Sequence, residues 1–393
     1  MQGYFAKLQK ALAAAGLAEP VLLIDRPKLD KNIKQLRRML PPDMAYRIVA
    51  KSLPCAPLLA HIAEAAQTDR LMSFNREMSQ QLLTALPQAD QLLGKPLPVA
   101  AVAGLFDALP AAKGKLAARR IQWLIDTPQR LKQYEALAKK LGLKLRINLE
   151  VDVGLHRGGM MPGDALDAAL AILAASNHLS LAGYLGYEPH LTKIPTLDGW
   201  RGRAKKGAQK AYGQAIAQGR AHFGTAHIEA MVRNMAGSPT FGLYKDTALA
   251  NELAAGSALV KPSDFDMPIL KDFEAAAFIA TPALKLSDEV AIAAWEHGET
   301  IVGRPQKGTG IFIHGGYWMA APIWPKGLKT SPLFGRSSNQ EFLMGPRNTP
   351  LKVDDFVFLR PTQSEAIFLQ FPKIAIFDGR RICDIWQPLS VSA

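Results

Sequence analysis

The sequence predicts an α/β fold, a (β/α)8 TIM barrel followed by a C-terminal β-strand-rich domain, and two observations carry that prediction. From about Val21 to Lys261, short apolar runs alternate with longer Ala/Leu/Gln/Lys segments at helical spacing, the rhythm of repeated βα units. After Lys261, Pro and Gly become frequent and strand-like runs replace that rhythm. The boundary is expected near residue 265, giving a barrel over 1–265 and a β domain over 266–393, with the residues before about 20 packing on the second domain.

Eight candidate strands fill the barrel: Arg47–Ala50, Arg70–Phe74, Gln91–Leu93, Ile121–Ile125, Leu145–Leu149, Leu179–Tyr184, Ala230–Asn234 and Glu252–Ala255. Helices are expected between them over Pro27–Leu40, Pro57–Ala66, Arg76–Leu86, Pro128–Leu141, Gly163–Ser176 and Trp200–Phe223, several opening with Pro or just after Asp or Thr. In the β domain the strand candidates are Ala276–Thr281, Gly310–His314, Phe356–Leu359 and Ile374–Phe377.

Composition narrows the function classes. With 48% hydrophobic and 21% charged residues the chain can bury a core, which excludes a disordered chain. Cys55 and Cys383 match no zinc or disulfide spacing, so a reducing, cytoplasmic setting is expected. The N-terminus carries no uninterrupted apolar core of an export signal, and no uncharged run is long enough to cross a bilayer. The net charge of +13 raises the local concentration of any anion. Its densest cluster, Arg201–Lys210, is nonetheless expected to be the solvated face of a helix, and neither a nucleic acid nor a membrane is expected as partner.

Catalytic groups of a barrel project from the C-terminal ends of its strands, and the residues following the strands here are rich in chemistry. Lys51 follows the first, Asp126 the fourth, Asp152, His156 and Arg157 the fifth, Tyr187, Glu188 and His190 the sixth, and Gly237-Ser-Pro-Thr240 the seventh. A buried strand end would desolvate the Lys51 ammonium and favour its nucleophilic amine, whereas a solvated end would leave an ordinary lysine. Gly237–Thr240, with Gly256 and Ser257 after the eighth strand, supplies hydroxyls and small residues suited to a phosphate, although Gly-Ser-Pro-Thr alone is also an ordinary turn. Asp126 and Asp152 are expected to cap helices or anchor backbone.

These residues carry a resemblance. Leu23–Asp25 through Leu29–Ile33, Ala50-Lys-Ser52, Glu150-Val-Asp-Val-Gly154 with Arg157 and Gly159, and Gly237–Thr240 resemble the alanine-racemase-type, fold-type III pyridoxal-phosphate enzymes. Asn339–Glu341, Val353–Val357, Arg360-Pro361 and Cys383–Trp386 resemble the C-terminal domain of their D-threonine aldolase and D-serine dehydratase group. The resemblance implies that Lys51 holds pyridoxal 5′-phosphate as a Schiff base and that Arg157 lies beside the cofactor ring or its phenolic oxygen. It further implies that Ser238, Thr240, Gly256 and Ser257 bind the phosphate and that Tyr187 lines the pocket. A homodimer with Asn339–Glu341 near a composite pocket is also implied.

Two departures matter. Where those enzymes carry a metal-binding Pro-x-His-x-Cys or Pro-x-His-x-Asp, this chain reads Pro361-Thr-Gln363-Ser-Glu365, and a Gln amide is a poor zinc ligand, so the divalent-metal site is expected to be lost or altered. Where they show a Tyr-His pair, Glu188 replaces the His and His190 follows two residues later, so either is a candidate acid/base opposite Lys51; a hydrogen-bonded loop histidine is the alternative for His190. The expected function is a pyridoxal-phosphate-dependent lyase acting on a small, D-configured amino acid. A metal-independent racemase or epimerase is the alternative, and a non-catalytic pyridoxal-phosphate-binding protein the third reading. Arg304, Arg336 and Arg347 are available for a substrate carboxylate, with none assigned.

Overall fold

The computed structural model describes residues 2–195, 199–290, 306–332 and 334–391; Arg304 lies outside them. Two compact units emerge. One comprises Ile33–Ala258, Met267–Asp272 and Leu389–Ala393, the other Met1–Asn32, Leu259–Asp266 and Phe273–Pro388.

A first strand, β1 (Val21–Asp25), precedes the barrel strands β2 (Ala45–Val49), β3 (Arg70–Ser73), β4 (Asp90–Leu93), β5 (Ile121–Ile125), β6 (Leu145–Val151), β7 (Leu179–Gly186), β8 (Val232–Met235) and β9 (Glu252–Ala255). Strands β2 to β9 close in sequence order, every pairing parallel, with β9 returning to β2 through Ala45 opposite Glu252 and Ile48 opposite Ala255. The expected (β/α)8 barrel is therefore present, with each of its eight strands found within a few residues of its expected position. The intervening helices follow from local sequence. In Pro128–Leu141 the Thr127 hydroxyl accepts the Arg130 N–H and Gly142 ends the helix at φ +63°, while Leu131, Tyr134, Leu137 and Ala138 form the buried stripe. Trp200–Phe223 buries Ala208, Tyr212, Ala215, Ile216 and Gly219, leaving Arg203, Lys206 and Lys210 exposed.

The barrel interior is more polar than its strand pattern suggests. Arg47, Gln91, Gln122, Asn148 and Glu252 are fully buried. Arg47 bonds Glu252 at 2.6 Å and Asp90 at 2.8 Å; Arg70 reaches Glu252 and Arg146 reaches Asp90, each at 2.6 Å. Burial alone would push both carboxyls up, yet the guanidinium groups hold Glu252 and Asp90 below the ordinary carboxylate range.

The second unit is built on a mixed sheet. Its later strands are β10 (Ala277–Val290), β11 (Gln306–His314), β12 (Ala320–Trp324), β13 (Lys329–Thr330), β14 (Gln340–Gly345), β15 (Phe356–Pro361), β16 (Ile374–Phe377) and β17 (Ile382–Trp386). The order is β13-β14-β11-β10-β1-β16-β17, with β15 paired to β10 and β12. Strand β1 joins this sheet, antiparallel to β10 and parallel to β16, and the N-terminal helix Gln2–Ala14 packs Phe5 against Phe278, Trp324 and Phe358. The sequence reading began the βα rhythm at Val21 without assigning β1 to this sheet, because its partners lie more than 250 residues away at Ala277–Ala280 and about 350 away at Ile374–Phe377. One short helix, Ser364–Phe368, interrupts the strand-rich run. No described helix is long and apolar enough to cross a membrane.

Candidate active site

Lys51 sits in the 3-10 turn Ala50–Ser52 directly after β2, half-buried between two buried neighbours. Its Nζ lies 4.8 Å from the centroid of the Phe74 ring, which follows β3. Room for that ring comes from Gly94 after β4, where a Cβ would lie 2.3 Å from Phe74 Cε1. Sequence reasoning passed over both Phe74 and Gly94; each stands just after a barrel strand, the position that flagged the other candidates.

Ser52 links this turn to the last strand. Its hydroxyl accepts from the Ser257 hydroxyl at 3.1 Å, and Gly256 packs so tightly that a Cβ there would meet Val49 O at 2.7 Å. The Ser238 hydroxyl in turn accepts the Gly256 and Ala258 N–H groups at 3.2 and 3.1 Å. Ser238, Thr240 and Ser257 are all buried. Lys51's turn, Ser238, Gly256 and Ser257 thus stand in one connected cluster of hydroxyls, backbone N–H groups and residues without bulk.

Tyr187 and Glu188 hold the Ser238 turn from β7. The Tyr187 ring lies over Gly237, where a Cβ would fall 2.6 Å from Cε2. Glu188 is fully buried and its Oε2 accepts the Ala236 N–H at 3.3 Å. Burial pushes its carboxyl up to about 7, against the hydroxyls of Thr240 and Tyr244 and the Ala236 N–H, which favour the ionised form.

After β6 the chain makes an excursion from Asp152 to Met160 and returns, Met160 N bonding Glu150 O at 2.8 Å and Asp152 N bonding Met160 O at 3.1 Å. Asp152 anchors it: Oδ1 accepts the Gly154 and His156 N–H groups, and Oδ2 meets His156 Nδ1 at 2.8 Å. The anchoring role expected for Asp152 is what the structure contains, whereas the helix cap after β5 is Thr127 and not Asp126. Arg157 is exposed, with its guanidinium carbon 5.5 Å from the Tyr187 ring centroid. Glu150, unassigned from sequence, lies beneath the Gly158 backbone; burial pushes its carboxyl up to about 7, Asp126 and Asp152 add to this, and Arg157 opposes it.

His190 stands in the 3-10 turn Pro189–Thr192, half-buried, with Nε2 3.6 Å from where a Gly154 Cβ would be. Its Nδ1 is buried with no hydrogen-bond partner among the described residues. Burial lowers its pKa, the neighbouring His156 adds to this, and Asp152 opposes it.

At the expected metal positions, the Gln363 side chain makes a contact within its own helix. Gln363 Oε1 accepts the Ala366 N–H at 3.3 Å and so caps the helix Ser364–Phe368, with Glu365 in its first turn. No group of three or more His, Cys, Asp or Glu among the described residues is gathered as a metal site would require. Of the arginines available for a carboxylate, Arg336 is paired with the buried Glu341.

Comparison with known proteins agrees with this fold. The family model "Alanine racemase, N-terminal domain" matches residues 24–264. No curated protein matches the chain by sequence. Among solved structures, D-threonine aldolase from Filomicrobium marinum is similar at TM-score 0.73 and 18% identity, covering 94% of each chain. Alanine racemase from Clostridium difficile 630 is similar at 0.72 and 14%, covering 95% of this chain and 99% of that one. D-threo-3-hydroxyaspartate dehydratase from Delftia sp. HT23 is similar at 0.71 and 16%, covering 95% and 98%. With a barrel of this topology, a lysine after its first strand and a match over most of the barrel, the chain belongs to the alanine racemase N-terminal domain family, the fold-type III pyridoxal-phosphate enzymes.

Proposed function

We propose that this protein is a pyridoxal-phosphate-dependent lyase that breaks a bond at Cα of a small, D-configured amino acid. The observation that carries the reading is the Ser52–Ser257 hydrogen bond, which ties the turn bearing Lys51 to the Gly256, Ser257 and Ser238 cluster. An amine and a cluster of hydroxyl and backbone N–H groups on the loops after β2, β8 and β9 suit a ligand with a carbonyl at one end and a phosphate ester at the other.

When bound, pyridoxal phosphate supplies an electron-withdrawing ring that accepts the electron pair released at Cα. Ser238, Thr240, Gly256 and Ser257 would hold the phosphate ester, and Lys51 Nζ contributes the amine for the aldehyde carbon. The Phe74 ring lies beside that amine, 4.8 Å from Nζ. Tyr187 and Arg157, already paired ring to guanidinium, flank the pocket. His190, whose pKa is lowered by burial, is the candidate proton acceptor. Glu188, with no exposed surface, is poorly placed to exchange protons with a substrate.

A second reading, a metal-independent racemase or epimerase, is favoured by one observation: Gln363, which stands in sequence where the resembling enzymes carry a metal-binding His, is a poor metal ligand and caps its own helix. A homodimer is part of the proposal and is measured by sedimentation velocity. Proton NMR in D2O with D- and L-alanine, serine and threonine separates the readings. Consumption of a D-amino acid with appearance of a keto acid, or of glycine and an aldehyde, is the expected result. Loss of the Cα proton at constant total amino acid, with the opposite enantiomer appearing on chiral chromatography, would establish the racemase, and inertness toward all six would sink both.

A further inference from the structure

Glu188 stands directly behind the turn read above as the phosphate site. Ala236, whose N–H it accepts, is a non-glycine residue at φ +67°, a left-handed conformation that costs an L-residue about 1 kcal/mol or more. That strained residue opens the turn. Gly237 follows with its N–H bonded to Thr240 Oγ1 at 3.1 Å, and the Thr240 and Phe241 N–H groups both return to Gly237 O at 2.9 Å. Ser238 projects from the same turn onto the Gly256 and Ala258 N–H groups. Tyr187 presses on Gly237 while Glu188 grips Ala236, so two consecutive residues of β7's loop fix the turn at two adjacent points.

We infer that Glu188 is a positioning residue for phosphate-ester capture, acting through the Ala236 turn, and that its charge state tunes how tightly the ester is held. This rests on the reading of Ser238 to Ser257 as the phosphate site. A buried carboxylate behind that turn repels a phosphate dianion across a poorly screened interior, whereas the neutral acid does not. The groups acting on Glu188 are the Thr240 hydroxyl and Ala236 N–H of the turn, Tyr244 just beyond it and Tyr212 from the helix Trp200–Phe223. Both tyrosines are themselves held protonated by burial, so the carboxyl is the group in this pocket that changes charge near neutrality. By linkage, whatever the carboxylate costs the phosphate, bound phosphate imposes on the carboxylate.

Two probes that cannot react with Lys51 make the test: pyridoxine 5′-phosphate and pyridoxine, titrated calorimetrically against the wild type and Glu188→Gln from pH 6 to pH 8.5. Gln preserves an acceptor for Ala236. The variant is expected to bind the phosphate ester as the wild type does at pH 6 and about tenfold more tightly at pH 8.5, a one-unit linkage. Pyridoxine, without the phosphate, is expected to show no such divergence. A ratio that stays flat for the ester, or that rises equally for pyridoxine, overturns the inference. Should the variant fail to fold, carbon-detected NMR of the wild-type Glu188 carboxyl gives the reciprocal measurement: saturating pyridoxine 5′-phosphate is expected to raise its midpoint by about one unit, and an unmoved midpoint overturns the inference. If the wild type binds neither pyridoxine 5′-phosphate nor pyridoxal phosphate, the phosphate-site reading itself has failed, a result distinct from either pH profile.

Discussion

Glu150 and His190 are both displaced from ordinary titration by burial, in opposite directions. Burial raises Glu150 to about 7, and because its folded value lies above its unfolded one, the stability it contributes is present below about pH 4.5 and is lost as pH rises through 7. Glu150→Gln is therefore expected to be more stable than the wild type by about 3 kcal/mol at pH 8 and equal to it at pH 4, read by denaturant unfolding at each pH. Burial lowers His190, leaving a neutral imidazole at pH 7. His190→Asn is expected to lower turnover about a hundredfold with the visible absorption of bound cofactor intact; unchanged turnover would remove His190 from the proton-transfer set. Gly94→Ala tests the seat of Phe74: the added Cβ displaces the ring from beside Lys51, so the absorption band should shift and cofactor affinity fall. Lys51, Arg157, Tyr187, Ser238, Thr240 and Ser257 were candidates from sequence because each falls in a loop that follows a barrel strand; their roles are part of the proposal. Glu150 and Glu188 took their character from burial, which sequence alone does not give.

At the scale of elements, the barrel strands were legible because each is a short apolar run between helices whose caps are local. Thr127 is such a cap, and Thr127→Ala is expected to cost about 1 kcal/mol in thermal or denaturant unfolding. What was not legible has a common cause. The sheet position of β1 depends on β10 and β16, and no local pattern specifies partners at that separation. Gln363 shows the converse: it is a poor metal ligand on sequence, and its cap of the helix Ser364–Phe368 appears only in the fold. The excursion Asp152–Met160 combines both kinds of information, its anchor readable as an Asp followed by Gly154 and His156, its return to β6 readable only in the fold.

Across the barrel, the buried network of Arg47, Glu252, Asp90, Arg70 and Arg146 joins β2, β3, β4, β6 and β9. Removing one partner strands buried charge, so Glu252→Ala is expected to lose about 3–5 kcal/mol of stability, measured by denaturant unfolding. Glu252 and Asp90 are held below their ordinary range, so the stability they confer is present above their unfolded values and is lost as pH falls through the folded ones. The strand pattern predicted a closed barrel without this network, because inward Arg and Glu residues at alternate positions look like solvent-facing ones until closure buries them. The same closure brings the loop after β2 beside the loop after β9, which places Ser52 against Ser257 and Lys51 next to the donor cluster. The most direct test of that arrangement is borohydride reduction of the pyridoxal-phosphate-loaded protein followed by peptide mass mapping. A phosphopyridoxyl group on Lys51, absent from Lys51→Ala together with the visible band, is the predicted result; a colourless protein, or label spread over surface lysines with Lys51 unmodified, would contradict the account.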